Sequence, residues 1–410
     1  MGKIKEKVDS FNENYKKVQN KTYSGPKTGE EFFEQFETIR LIDAVVTYLS
    51  FVLLNLLGRL QDFMRRIGWL PNSIAKDPLV EKGFVPLFSD YEAFYTRNLY
   101  RRVRDCWNRP ISSSPGVIID LLKRKSPDHG WSFKYDGSTQ PAINFGSYNY
   151  LGFGDKQGPW IDDCEKTIRK YGLSTCASRL ENGGIELHNQ LESLLSEFLN
   201  QEASIITSMG FATNALNMPC IFDQNTCVVS DELNHSSLIL GCRLSGAVIK
   251  KFKHNDMEDL EKVLRETVVY GRPRTRRPYK KIFIVVEGIY SMEGSIVHLP
   301  ELIALKKKYK AYIYLDEAHS IGALGFEGRG VVDYYGCNPK DVDVVMGTFT
   351  KSFGATGGYI AGSKRMINYI KANSLSSHYG IAMPPLIAQQ VISILRILMN
   401  KDVPDLAKYK

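Results

Sequence analysis

From about residue 141 onward the chain alternates between two hydrophobic periods. Residues 185–200 carry Leu187, Leu191, Leu194, Leu195 and Phe198 at helical spacing, the apolar face of an amphipathic helix. Short apolar runs follow at 203–207, 227–230, 247–252, 282–286, 311–315, 342–346 and 358–361, several of them β-branched and flanked by turn residues. Helical stretches at 257–269 and 299–309 lie between them. Apolar strands alternating with helices predict an α/β domain with a mostly parallel central sheet and helices on both faces. A new segment starts near residue 373, with Met383-Pro384-Pro385 and then a helix over 386–398.

The first 140 residues follow no such rhythm. Residues 1–40 read as a polar arm, too charged for a cleavable signal peptide. Residues 44–58 are apolar and uncharged, but fewer than the roughly 20 that span a bilayer comfortably. Residues 60–70 add apolar positions, the pair Arg65-Arg66 and Trp69, which suit a membrane interface. Residues 41–70 are therefore expected to associate with a membrane, a buried soluble helix being the other reading. Residues 71–140 read as an irregular lead-in, 141–372 as the large domain, and 373–410 as the start of a further domain.

Composition narrows this little. Of 410 residues, 43% are hydrophobic, enough for a sizeable core. The net charge of +8 is compatible with anionic ligands or an anionic membrane face. Part of it sits in Arg272-Pro273-Arg274-Thr275-Arg276-Arg277-Pro278-Tyr279-Lys280-Lys281, read as a solvated loop before a strand. With no zinc-finger spacing or aromatic RNA-binding motif beside it, no nucleic-acid partner is expected. The seven cysteines form no CxxC pair, which fits reduced thiols facing the cytosol.

The candidate chemistry follows the strand runs, where ligands of such sheets sit. Lys351 lies in Gly347-Thr348-Phe349-Thr350-Lys351-Ser352-Phe353-Gly354. The hydroxyls suit a phosphate, the glycines let backbone approach a ligand, and a shielded amine can hold a carbonyl as a Schiff base. That combination suggests pyridoxal phosphate (PLP); the bland reading is a surface lysine in a turn. Asp316-Glu317-Ala318-His319 ends another strand. Asp316 there can pair with a protonated pyridine nitrogen, and His319 with a phenolic oxygen. Asp316 can equally cap a helix. The same four letters mark nucleotide-driven helicases, but the accompanying phosphate loop is missing. His235, after a third strand, can stack on a flat ring or simply satisfy local hydrogen bonds. No close ligand pair accompanies His235 or His319, which argues against a metal. Gly210 and Phe211 open a helix whose free N–H groups suit phosphate. Glu287 either faces the cofactor or is a solvated loop carboxylate.

Taken in order, His235, Asp316 and Lys351 resemble the fold-type-I PLP enzymes, specifically the α-oxoamine synthase family. Within it the chain is most similar to the lysine-bearing, long-chain-base-2/3 type of serine palmitoyltransferase subunit. The motifs that carry the resemblance are Gly347–Gly354 with Gly357-Gly358-Tyr359, then 314–323, 231–237, 286–294 and 209–214, and Asn144-Phe145-Gly146-Ser147-Tyr148-Asn149-Tyr150-Leu151-Gly152. The basic run and the apolar segment near residue 50 match as well. The resemblance implies that Lys351 carries the cofactor covalently, Asp316 meets the ring nitrogen, His319 the phenolic oxygen, and His235 stacks on the ring. It places Thr348, Thr350, Gly210 and Phe211 near the phosphate and Asn149 and Tyr150 on the substrate side. It further implies condensation of L-serine with a long-chain acyl-CoA to 3-ketosphinganine, at an endoplasmic reticulum membrane with the catalytic domain facing the cytosol. The partners it implies are a related subunit lacking the lysine and small membrane regulators.

Two departures accompany the resemblance. Family chains continue past the equivalent of Lys410 into a smaller domain bearing an arginine for the substrate carboxylate. On that basis the C-terminal small domain is expected to be largely absent here. An alternative is then a catalytically poor assembly or regulatory subunit. The loop 376–385 also lacks a hydroxyl at Gly380-Ile381-Ala382, where the family often has Ser or Thr.

Overall fold

The computed structural model describes residues 39–70, 83–85, 94–128, 130 and 132–401. The polar arm, apart from its last two residues, lies outside the described residues. So do residues 71–82 and 86–93 of the lead-in and the final nine residues. The described chain divides into two compact units between Ser147 and Tyr148.

The first unit opens with helix α1, Leu41–Arg66, of 26 residues. The sequence suggested an apolar stretch ending at Gly58 followed by an interfacial piece. A single helix runs through both, because Arg59, Leu60, Gln61 and Asp62 are compatible with helix and no proline interrupts them. At 1.5 Å per residue it is about 39 Å long, against roughly 30 Å for a bilayer's hydrocarbon core. It is long and apolar enough to cross a membrane. Only Gly58 along it is buried, while Leu49, Phe51, Leu53 and Leu56 are exposed. Near its C-terminal end Asp62 pairs with Arg65 and Arg97, each at 2.7 Å.

The irregular reading of 71–140 is corrected over its last third. Strands β1 (Ile118–Lys125) and β2 (Lys134–Ile143) form an antiparallel hairpin, with Ile118 opposite Ile143 and Leu121 opposite Gln140. The charged end of β1 and Pro141 in β2 spoil the alternation that announces a strand. A two-stranded ribbon has only edge strands, which is where proline is tolerated.

The second unit is built on a seven-stranded sheet. In chain order its strands are β3 (Ala203–Thr207), β4 (Thr226–Asp231), β5 (Val248–Phe252), β6 (Lys281–Glu287), β7 (Tyr312–Asp316), β8 (Val344–Thr348) and β9 (Gly358–Gly362). In space they run β3-β9-β8-β7-β6-β4-β5. The stretch β8-β7-β6-β4-β5 is parallel throughout, and β9 runs antiparallel to both of its neighbours. Every strand predicted in this region is present, within two residues at either end.

Alternate residues of each central strand enter two separate cores. Cys227, Val229, Ile284, Val286, Ile313 and Leu315 face one core, and Val228, Phe283, Val285 and Tyr314 the other. Helices cover both faces. Leu191, Leu195, Leu260, Leu264, Leu302, Val391 and Leu395 belong to the first core, and Met218, Leu238, Ile367 and Ile370 to the second. A strand buried on both faces has no polar side, which is why these runs read as continuously apolar. The final helix of the described chain, Pro385–Leu398, packs into the first core, so residues 373–401 lie in the same unit as the sheet.

Candidate active site

The parallel strands all deliver their C-terminal ends to one edge of the sheet, and the chemistry-bearing side chains sit there. Thr207 ends β3, Asp231 ends β4, Glu287 ends β6, Asp316 ends β7 and Thr348 ends β8. Lys351 follows β8 in a tight turn closed by the Gly354 N–H, which donates to the Lys351 carbonyl at 3.0 Å. Gly354 holds φ at +51° and a Cβ there would meet the Gly154 nitrogen at 2.4 Å, so glycine is required. The Lys351 side chain is half-buried, and burial depresses its amine's pKa, opposed in part by Asp316 and Glu287. Its Nζ lies 5.9 Å from the centre of the Tyr148 ring.

Asp316 is buried at the sheet edge. Its Oδ2 accepts from Asn214 Nδ2 at 2.8 Å and its Oδ1 from the Ala318 N–H at 2.9 Å. Each oxygen keeps a lone pair for a further donor. Burial raises its pKa, and the two hydrogen bonds and the Lys351 charge pull it back. Asn214 is itself buried, donating also to Ser237 Oγ at 3.0 Å and accepting from the Tyr314 hydroxyl at 2.8 Å. Sequence reading named Asn214 only as the end of a motif; its role as the brace of Asp316 comes from the fold. A carboxamide buried one helical turn into an apolar helix is the signal that marks it.

His235 caps the helix Ser236–Leu244; its Nδ1 accepts from the Ser237 N–H at 3.2 Å and lies 2.8 Å from Ser237 Oγ. Its ring meets Phe211 edge-on, centres 6.0 Å apart. His319 hydrogen-bonds through Nδ1 to Tyr150 Oη at 2.7 Å. Burial, with the charges of Lys351 and His235, drops its pKa to about 4, so it is neutral at physiological pH. When Tyr150 donates to Nδ1, Nε2 carries the proton and becomes a donor.

The phosphate side is equally built. The first backbone bond of the helix Gly210–Ile221 runs from the Thr213 N–H to the Met209 carbonyl at 3.0 Å, so the N–H groups of Gly210, Phe211 and Ala212 come before the helical ladder. Thr348 Oγ1 donates to the Gly357 carbonyl and lies beside Thr350 Oγ1, both at 2.9 Å. A Cβ on Gly210 would sit 2.5 Å from Thr348 Oγ1. Asn149 is half-buried with its Oδ1 taken by the Gly154 N–H at 3.0 Å, inside its own loop.

Beside these lie groups that the sequence did not order. His254 is held between Asp231, 3.1 Å from both carboxylate oxygens, and Ser295 Oγ at 2.7 Å. Ser295 is buried, so this Asp-His-Ser row fixes the turns after β4 and β6 rather than meeting a substrate. Glu317 is buried against the Val331 N–H at 3.0 Å and the Ser320 hydroxyl, and burial pushes its pKa up to about 7.

The set comprises a half-desolvated amine, a carboxylate with lone pairs to spare, a neutral imidazole donor and a glycine-floored helix start. Its chemistry fits a flat phosphorylated pyridine aldehyde. The family model for class I and II aminotransferases matches residues 140–402. Serine palmitoyltransferase 2 of Caenorhabditis elegans is 52% identical over 374 residues, covering 91% of this chain and 67% of its own length. Serine palmitoyltransferase 3 of Homo sapiens is 51% identical over 370 residues, at 90% and 67%. Long chain base biosynthesis protein 2a of Arabidopsis thaliana is 45% identical over 367 residues, at 89% and 74%. The chain thus spans about two thirds of the first two relatives. A high-resolution serine palmitoyltransferase structure containing PLP superposes with a TM-score of 0.65 at 27% identity, covering 80% of this chain and 74% of that one. The Sphingomonas wittichii serine palmitoyltransferase gives 0.62 at 28% identity, covering 80% and 73%. The chain belongs to the class I and II aminotransferase family, in its serine palmitoyltransferase group of PLP-dependent acyltransferases.

Proposed function

We propose that this chain condenses L-serine with a long-chain acyl-CoA, palmitoyl-CoA in the first instance, giving 3-ketosphinganine, CO₂ and free CoA. The observation that supports this reading best is the placement of Lys351 and Asp316 after adjacent parallel strands, with Asp316's charge acting on the lysine. Lys351 would attach the cofactor, Asp316 would face its ring nitrogen, and His319 Nε2 would donate to its phenolic oxygen. His235 would cover the ring. Gly210, Phe211, Thr348 and Thr350 would hold the phosphate. PLP bound there supplies an electron sink for the carbanion at the serine Cα.

The chain's own groups then have separable tasks. Burial lowers the pKa of the Lys351 amine, which eases loss of its proton and suits it to take the serine Cα proton and return it. Asp316, fixed by Asn214 and Ala318, holds an anion where positive charge must be kept. Tyr150 fixes His319 as a donor. Tyr148 and Tyr150 stand on the open side with Asn149, where serine and the acyl thioester would enter.

Helix α1 supports a membrane location suited to a lipid acyl donor and product, and we place the catalytic unit on the cytosolic side of the endoplasmic reticulum. The Asp62, Arg65 and Arg97 cluster would mark where the helix leaves the apolar layer. A related lysine-lacking subunit and small membrane regulators would complete the assembly. The test is co-expression with that subunit and assay of 3-ketosphinganine from serine and palmitoyl-CoA. Turnover and a PLP absorbance band, both lost in Lys351→Ala, are the expected result. Turnover that survives Lys351→Ala would overturn the assignment.

A further inference from the structure

One buried acid at the site has no task in the scheme above. Glu287 ends β6 in register with Asp316 on β7, and Asp231 ends β4 on the other side of β6. It is 5% exposed. Its Oε1 accepts the backbone N–H of His235, while its own N–H donates to the Tyr290 hydroxyl at 3.2 Å. His235 in turn meets Ser237, Ser237 meets Asn214, and Asn214 meets Asp316, at 2.8, 3.0 and 2.8 Å. The two acids at adjacent strand ends are therefore linked in one chain through the His235 backbone and imidazole, the Ser237 hydroxyl and the Asn214 carboxamide.

The charged and titratable groups facing Glu287 are Asp316 on β7, Asp231 on β4, His235 at the start of the helix Ser236–Leu244, Lys351 after β8 and the Tyr290 phenol. Two buried carboxylates side by side do not both ionise cheaply. Asp316 has two hydrogen-bond donors on its oxygens and Glu287 has one, so Glu287 is the acid that keeps a proton more readily. Burial, then the Asp316 charge, push Glu287 up to about 8.

We infer that Glu287 is a positioning residue for the acyl transfer that works as a neutral acid, clamping the backbone of His235 and leaving Asp316 the only anion beside the cofactor's ring nitrogen. This rests on the proposed function. The neutral form keeps Oε1 as an acceptor for His235, so nothing in the clamp needs the charge. Ionisation of Glu287 sets a second anion beside Asp316. The charge set facing the ring nitrogen, and with it the cofactor's affinity and absorbance, then changes in alkaline solution without breaking any contact.

The test compares wild type, Glu287→Gln and Glu287→Asp. Cofactor Kd and the visible absorbance of bound PLP are read from pH 6.5 to 9.5, alongside thermal melting of the cofactor-free protein. Glutamine copies the neutral acid. Glu287→Gln is expected to bind PLP within about threefold of wild type at pH 7 and to lose the alkaline change centred near pH 8. Glu287→Asp, too short to reach the His235 N–H, is expected to bind at least tenfold more weakly. A tenfold loss in Glu287→Gln with unchanged melting would overturn the neutral-acid role. So would an alkaline limb identical to wild type's. Full binding by Glu287→Asp would overturn the clamp. Failure of the wild-type chain to bind PLP through Lys351 would instead remove the functional reading itself, and is told apart by Lys351→Ala in the same titration.

Discussion

Asn214→Ala isolates the brace behind Asp316. The carboxamide is buried and makes three contacts: to Asp316 Oδ2 at 2.8 Å, Ser237 Oγ at 3.0 Å and the Tyr314 hydroxyl at 2.8 Å. A hydrogen bond to a charged group contributes roughly 1.5–3 kcal/mol, and a stranded buried hydroxyl costs about 1–3 kcal/mol. The first amount acts on Asp316, whose carboxylate becomes harder to keep ionised once the Asn214 donor is gone. The second acts on Tyr314 and is felt as stability. The two effects have different readouts. Cofactor affinity is expected to fall roughly 10- to 100-fold, since each 1.4 kcal/mol is a factor of ten. The melting temperature of the cofactor-free protein should fall as well. Ser237→Ala is the control, since it leaves the Asn214–Asp316 bond in place, and it should cost less affinity than Asn214→Ala. Fluorescence titration with PLP, with melting of the apoprotein in parallel, measures both. If Asn214→Ala binds the cofactor within twofold of wild type, Asp316 does not need the brace and the reasoning fails.

Gly210→Ala drives a Cβ to 2.5 Å from Thr348 Oγ1, so it should weaken PLP binding at least tenfold while the melting temperature of the apoprotein changes little. Glu317 holds its proton more tightly folded, at about 7, than unfolded, near 4.5. The native state thus binds more protons between these values, and its stability falls as pH rises through that window. Glu317→Gln cannot ionise, so its melting temperature relative to wild type should rise from pH 5 to pH 8. Deletion of residues 41–66 should shift the chain from the carbonate-resistant membrane pellet towards the supernatant, and an unchanged pellet fraction would remove α1 as the anchor.

The sheet was legible because its strands are buried on both faces. A run such as 282–286 is apolar at every position, too short for a helix and without a polar side. The hairpin Ile118–Ile143 has the opposite character. Its strands are mostly exposed or half-exposed, carry Lys123-Arg124-Lys125, Gly137 and Pro141, and show no inward face for a pattern to report. Helix α1 was legible as apolar but not in length, since charges at Arg59 and Asp62 look like an end in sequence and are only decoration on a continuing helix.

Lys351, Asp316, His319 and His235 could be named from sequence because each stands in a short motif directly after a strand. The contacts that set their chemistry could not. Asn214 reaches Asp316 across 102 residues, Glu287 reaches the His235 backbone across 52, and Tyr150 reaches His319 across 169. Those separations are closed by tertiary folding, within the sheet by the order β8-β7-β6-β4, which no local pattern encodes. The parallel arrangement makes the closure obligatory, because every strand ends on the same edge and unlike groups from distant segments must meet there. A carboxylate at each of two adjacent strand ends is then a conflict that the sheet itself creates. Holding one acid neutral resolves it, and that acid is free to grip the backbone of the ring-covering histidine.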